Sequence, residues 1–174
     1  MPRNSSLSSD AVELRPYSDS DLALTEALEC DPRTMRELGG PVPREEIPRL
    51  HRMRVETVAQ GSWWFTIVPD PPGPAAGTIG IWDSTWEGSE IHEVGWMVLP
   101  EFQGQGIATR ALDMLLERAR ADAAYRRIHA FPGVSNQPSN ALCRGFGFTN
   151  TGEHEIRFRD RRLRCNHWEL DVGA

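Results

Sequence analysis

The sequence predicts an α/β protein built on a single mixed, twisted sheet, and three stretches carry that reading. Between Trp63 and Val98 three β-rich runs are joined by short loops, which makes an antiparallel meander. From Glu93 to Phe131 a strand, a glycine-containing loop, an amphipathic helix and another strand follow one another, and such a unit sets its two strands parallel. After a further helix, two strands meet at Arg159-Asp160-Arg161-Arg162 and close the chain as a hairpin.

In order along the chain, MPRNSSLSSD has no apolar core and reads as a polar tail (1–11) rather than a signal peptide. Val12–Pro16 alternates as a first strand. Asp19 or Ser20 can cap a helix running to about Glu29. Asp31–Gly40 reads as a short helix closed by glycines, and Pro43 opens another, with acids in its first turn, that extends to about Gln60. Trp63–Val68 is the next strand, Pro69–Pro74 a stiff loop, and Thr78–Trp82 a strand. Glu87-Gly88-Ser89 then turns into the strand that holds Glu93 and ends at Pro100, which has no N–H for a ladder. In the helix of about Thr109–Ala123, Ala108, Ala111, Leu112, Leu115, Leu116 and Ala119 share one apolar stripe. Arg127–Phe131 is a strand and Gln137–Gly145 a helix. Residues 12–172 are expected to form one domain.

Composition bounds the function. The 174 residues carry a net charge of −6, which argues against general nucleic-acid binding. Cys30, Cys143 and Cys165 are odd in number and lack CxxC spacing, so they suit a reducing compartment and give no zinc site. No apolar run approaches the roughly 20 residues that span a bilayer. The expectation is a cytoplasmic protein with no membrane or nucleic-acid partner and no metal.

The chemistry centres on Gln103-Gly104-Gln105-Gly106-Ile107-Ala108-Thr109. Two glycines let the backbone turn sharply and approach a ligand, and the helix start beyond them leaves N–H groups free at the positive end of its dipole. This is a cradle for phosphate oxygens. No Gly-Lys-Ser/Thr follows, which excludes the nucleoside-triphosphate loop. A dinucleotide loop is a nearer rival, since Gly104 and Gly106 match two of its three glycines. The strand Arg127–Phe131, however, ends without the acid that would hold a ribose.

The segment Gln103-x-x-Gly106-x-Ala108 resembles the acetyl-CoA loop of the GCN5-related N-acetyltransferase (GNAT) family, Gln/Arg-x-x-Gly-x-Gly/Ala. Its setting strengthens the likeness: a strand ending in Val98-Leu99-Pro100 precedes it and an amphipathic helix follows. The order β-α-α-β-β-β-α-β-α-β-β is also that of the GNAT fold, and the Leu14-Arg15-Pro16 and Asp31-Pro32-x-x-Met35 stretches look most like the ribosomal-protein N-terminal acetyltransferase branch. The resemblance implies a twisted sheet with helices on both faces, opened where its two parallel strands splay. Acetyl-CoA would be the co-substrate, its pyrophosphate on Gln103–Thr109 and its pantetheine between Met97-Val98-Leu99 and the helix of Asn136. Backbone N–H near Met97–Val98 would meet the oxyanion. A small-molecule amine or a protein N-terminus would be the acceptor, and the fold admits a homodimer.

Four further residues, outside both the loop and the Met97–Leu99 stretch, complete the candidate site. Acyl transfer from a thioester to an amine needs a base for the amine proton and an acid for the thiolate. Glu93 is the candidate base: it shares a strand face with Ile91, Gly95 and Met97, an apolar setting that raises a carboxylate's pKa, and it lies ten residues before Gln103, as the base does in some family members. The alternative is an exposed glutamate. His92 points to the opposite face. The cluster Asn136-x-x-Ser139-x-x-Leu142-Cys143 resembles the family's Asn-x-x-Ser/Ala-x-x-Leu-Tyr segment, so Asn136 and Ser139 would contact the pantetheine arm; Asn136 is equally suited to cap its helix. Cys143 stands where many relatives have the tyrosine that protonates the thiolate. It is a candidate acid or a small buried apolar residue. Arg157, Arg159, Arg161, Arg162 and Arg164 make the last hairpin basic, and Cys165-Asn166-His167 lacks metal partners at useful spacing. A non-catalytic acyl-CoA sensor of the same fold and a dinucleotide oxidoreductase are the two competing functions.

Overall fold

The computed structural model describes residues 11–173; all but the last residue of the expected polar tail lies outside that span. Its frame is a seven-stranded sheet in the order β1-β2-β3-β4-β5-β7-β6. The strands are β1 (Val12–Pro16), β2 (Trp63–Pro69), β3 (Gly77–Trp86), β4 (Ser89–Val98), β5 (Arg127–Ala130), β6 (Thr149–Phe158) and β7 (Arg161–Asp171). β1 to β4 are antiparallel neighbours, β4 and β5 run parallel, and β5 pairs antiparallel with β7. The meander, the parallel crossover and the closing hairpin therefore all stand where the sequence puts them.

Strand alternation sorts the side chains onto two faces. Phe65, Ile67, Ile79, Ile81, Val94, Val98, Ile128 and Trp168 form one core with the apolar stripe of α3 (Ile107–Asp122). Cys143 of α4 (Gln137–Gly145) and Phe148 belong to the same core. On the opposite face, Met97 packs into two smaller clusters, one with Leu24, Leu28 and Leu99 and one with Met35, Val42 and Ile47. Apart from Leu99, which follows β4, these come from α1 (Leu22–Glu29), α2 (Ile47–Ala59) and the chain between them.

The departures from expectation are local. Asp31–Gly40 is not a helix: it folds as turns with one 3-10 turn, Arg36–Leu38, that stops on Gly39. The Asp31 carboxylate accepts the Arg33 N–H at 2.7 Å, a side-chain bond that competes with helical pairing. β3 and β4 extend further toward each other than expected, because Glu87 and Gly88 both take positive φ (48° and 79°) and make a hairpin turn whose twist matches the strands. α3 begins at Ile107, two residues before Thr109, and Ser18 rather than Asp19 or Ser20 precedes the turn leading into α1.

Two tethers close the α1–α2 face. Glu29, only 2% exposed, takes Arg54 of α2 on one oxygen and Arg159 of the β6–β7 hairpin on the other, the latter at 3.1 Å. Ser135, ahead of α4, donates to Glu37 at 2.6 Å. The basic hairpin is largely compensated, since Arg162 pairs with Glu155 and Arg164 with Glu153 across the strands.

Candidate active site

Among the described residues the seam between β4 and β5 is the one parallel junction of the sheet, and it is short. The two strands are in register only at Glu93 and His129. Ladder pairing ends at that pair, which leaves the main chain of β4 beyond it open on the β5 side. Its polarity follows from neighbouring bonds. The Leu99 N–H donates to Ala76 O at 2.8 Å, and the Met97 carbonyl is turned toward Gly77 of β3. By alternation the N–H and carbonyl of Val98 face that open side. Gln103 Nε2 donates to that carbonyl at 2.9 Å, and the Val98 N–H has no main-chain acceptor among the described residues. Of the three residues expected beside the arm, Val98 turns its main-chain groups toward the seam, whereas Met97 and Leu99 direct their N–H groups to β3.

The loop at the mouth of the seam is built on two left-handed glycines. Gly104 and Gly106 each have φ of +73°, a conformation that costs an L side chain roughly 1–2 kcal/mol. Gly106 caps α3, whose first main-chain bond runs from Arg110 N–H to Gly106 O at 3.0 Å. The N–H groups of Ile107, Ala108 and Thr109 precede that bond and have no acceptor within the helix. Gln105 is held by its Nε2, which donates to Glu101 O at 3.0 Å. Sequence reasoning missed Arg110. Its Nη2 donates to Gln105 O at 3.1 Å, its Nη1 lies 3.1 Å from where a Gly106 Cβ would stand, and its Nε is buried without a partner. A guanidinium folded back over free helix N–H groups, with one orphaned donor, is suited to a phosphate. Its offset of four from Gly106, one helical turn, was the available signal.

Glu93 sits on the α1–α2 face with Trp82 as its register partner across β3. The Trp82 ring covers Gly95, where a Cβ would collide with it, and stacks on Trp64 at 5.0 Å. Burial pushes the Glu93 pKa above the ordinary carboxylate value, and the polar atoms of Ser84 and Trp82 pull it back only in part. Glu93 and Glu37 both act on the Cys165 thiol, which burial first and these two carboxylates next drive up to about 11. His92 is on the other face, bonded to Asp83 at 3.0 Å and packed on Tyr125.

Asn136 caps α4, its Oδ1 accepting the Ser139 N–H at 3.2 Å. Asn136 and Ser139 are both partly exposed on the first turn. Asn140 is the structural hub that the sequence did not reveal. It is buried, donates to Gly133 O (2.9 Å) and Asn136 O (2.8 Å), and accepts from Asn166 (2.8 Å) and Trp168 Nε1 (2.9 Å). Cys143 is 0% exposed within the main core, and burial raises its thiol to about 12. Of its two readings, the geometry supports packing, because the side chain presents no surface to a ligand.

Residues 11–149 match the family model of the acetyltransferase (GNAT) domain. No curated protein matches the sequence. Among solved structures, a GNAT-family acetyltransferase from Bacillus anthracis shares 16% identity over 95% of this chain and 98% of its own, with a TM-score of 0.77. The Salmonella typhimurium acetyltransferase that modifies the N-terminal serine of 50S ribosomal subunit protein L7/L12 shares 21% over 92% and 94%, with a TM-score of 0.74. The spermidine N-acetyltransferase of Vibrio cholerae, solved with CoA and spermine, shares 18% over 92% and 95%, with a TM-score of 0.76. At these identities the likeness to solved structures is one of fold.

Proposed function

The chain belongs to the GNAT acetyltransferase family, and from that premise we propose that residues 12–172 form one catalytic domain that moves the acetyl group of acetyl-CoA to a primary amine by direct attack within a ternary complex. The observation that carries the site assignment is the end of β4–β5 pairing at Glu93–His129, with the Gly104/Gly106 loop at the mouth of the seam. The pyrophosphate lies on the free N–H groups of Ile107–Thr109, with Gln103, Gln105 and the Arg110 guanidinium around it. The pantetheine arm runs along Val98 toward the first turn of α4, where Asn136 and Ser139 meet it.

Each step then has a group. The amine attacks the thioester carbonyl carbon, and the oxyanion that forms is met by the Val98 N–H. Glu93 takes the amine proton, directly or through a water; its raised pKa brings it nearer to the working pH than an ordinary carboxylate. The C–S bond breaks, and the CoA thiolate takes a proton from solvent, since Cys143 is enclosed in the core. The products are the N-acetyl amine and free CoA thiol. Neither Cys143 nor Cys165 is placed to carry the acetyl group: both are buried, with thiols raised to about 12 and about 11.

The acceptor is a cationic amine entering from the α1–α2 face, where Glu93 and Glu37 supply negative charge and Trp64 and Trp82 an aromatic wall. The similar structures include an enzyme acting on a protein N-terminus and one acting on spermidine, and both are amines of this kind. We place the enzyme in the cytoplasm, acting without nucleic acid or membrane; no helix among the described residues is long and apolar enough to cross a bilayer. The test is thiol release from acetyl-CoA against a panel of N-terminal peptides, polyamines, aminoglycosides and amino acids. At least one amine should release CoA stoichiometrically with its own acetylation. CoA binding without turnover on any amine would favour a sensor.

A further inference from the structure

Three side chains on the α1–α2 face of β5 and β7 converge on one point. His129 Nδ1 is 2.9 Å from His167 Nε2, and Glu169 Oε1 is 3.8 Å from the first and 3.7 Å from the second. His129 and Glu169 are register partners across the two strands, and His167 lies two residues along on the same face. The imidazoles are 6% and 3% exposed and nearly parallel. His167 is fixed further by Phe131, stacked at 4.7 Å, and by Trp86 at 5.0 Å. Glu169 also borders a cleft of about 890 Å³ whose lining mixes the acids Glu87, Glu90 and Asp171 with Arg126 and Arg127.

The outer hydrogen bonds decide which ring nitrogens are free. Thr151 Oγ1 is 2.8 Å from His167 Nδ1 and donates its own proton to His167 O at 3.2 Å. With its proton so used, that hydroxyl accepts the Nδ1–H, so His167 Nε2 accepts the His129 Nδ1–H, the one proton that a bound cation would displace. An imidazole lone pair, a facing imidazole nitrogen and a carboxylate oxygen then occupy three corners of one face. A tetrahedral ion with bonds of about 2.1 Å wants donors about 3.4 Å apart, so the separations need adjustments of about half an ångström or less, and the two rings, which now meet nitrogen to nitrogen, must turn toward the ion.

We propose that His129 Nδ1, His167 Nε2 and Glu169 Oε1 bind one divalent cation of the zinc class, with its fourth position toward that cleft. Two imidazoles and one carboxylate favour zinc, nickel or copper over magnesium or calcium, which prefer all-oxygen shells. The bound ion ties β5 to β7, one register pair from Glu93. Cysteine spacing gave no hint of it, because the ligands are assembled by strand pairing and not by neighbourhood in sequence.

The test is titration of the EDTA-treated, dialysed full chain with ZnCl2, followed by calorimetry, with CoCl2 as a spectroscopic probe. The parent chain should take up one equivalent of zinc with micromolar or tighter affinity, gain thermal stability with zinc, and give the visible absorption of four-coordinate cobalt. His167→Gln should abolish uptake. Glu169→Gln, at a partly exposed position where folding is safe, should weaken it at least tenfold and decides the matter alone if His167→Gln misfolds. No uptake by the parent, or uptake unchanged in Glu169→Gln, overturns the proposal; the latter result assigns the binding to other surface histidines.

Discussion

Replacing Gly106 by glutamate tests the phosphate cradle with a perturbation whose size follows from the structure. The residue sits at φ +73°, so any side chain brings roughly 1–2 kcal/mol of backbone strain to the start of α3. Its Cβ would stand 3.1 Å from Arg110 Nη1, so the guanidinium must shift. The new carboxylate then competes for Arg110 and presents a like charge to the pyrophosphate. At about 5 Å and an effective dielectric of about 20, one pair of unit charges repels by about 3 kcal/mol. Solvent screening and rotation of an exposed side chain reduce this, so CoA affinity should fall at least tenfold, about 1.4 kcal/mol. Calorimetric titration with CoA measures it, circular dichroism confirms the fold, and Gly106→Ala isolates the strain from the charge. CoA binding by Gly106→Glu within about threefold of the parent would refute the assignment of this loop.

Two further outcomes follow from the same geometry. Asn140→Ala strips the buried Trp168 Nε1 of its acceptor and two carbonyls of their donor, so urea unfolding should show a loss of about 3 kcal/mol; a loss below about 1 kcal/mol would mean the hub is dispensable. Cys143→Ala should keep near-parental turnover at saturating acetyl-CoA while losing some stability, and Cys143→Tyr should be overpacked; a tenfold fall in turnover in a folded Ala variant would return Cys143 to the role of acid.

Much of this site was legible in the sequence because its signals are local. The loop Gln103–Ala108 announces itself by two glycines before an apolar stripe, and the face of Glu93 follows from period-two alternation alone. What stayed hidden depends on pairing between distant segments. Asn140 looks like a polar residue on the exposed side of a short helix until β7 brings Asn166 and Trp168 against it. Glu37 lies in a stretch that imitates a helix, and its role over Ser135 depends on a contact 98 residues away in sequence. The choice between Met97 and Val98 was also beyond sequence, because only the register with β3 says which N–H faces the seam. Cys143 shows the converse: the motif fixed its position, and the packing around a side chain much smaller than tyrosine changed its part.

Whether Glu93 takes the amine proton at the seam is decided by Glu93→Gln, which removes the proton acceptor and keeps the size and polarity of the side chain. With the best amine of the panel and saturating acetyl-CoA, kcat at neutral pH should fall by roughly 10²-fold or more while calorimetric CoA affinity stays unchanged. A kcat within about a factor of two of the parent would contradict that role.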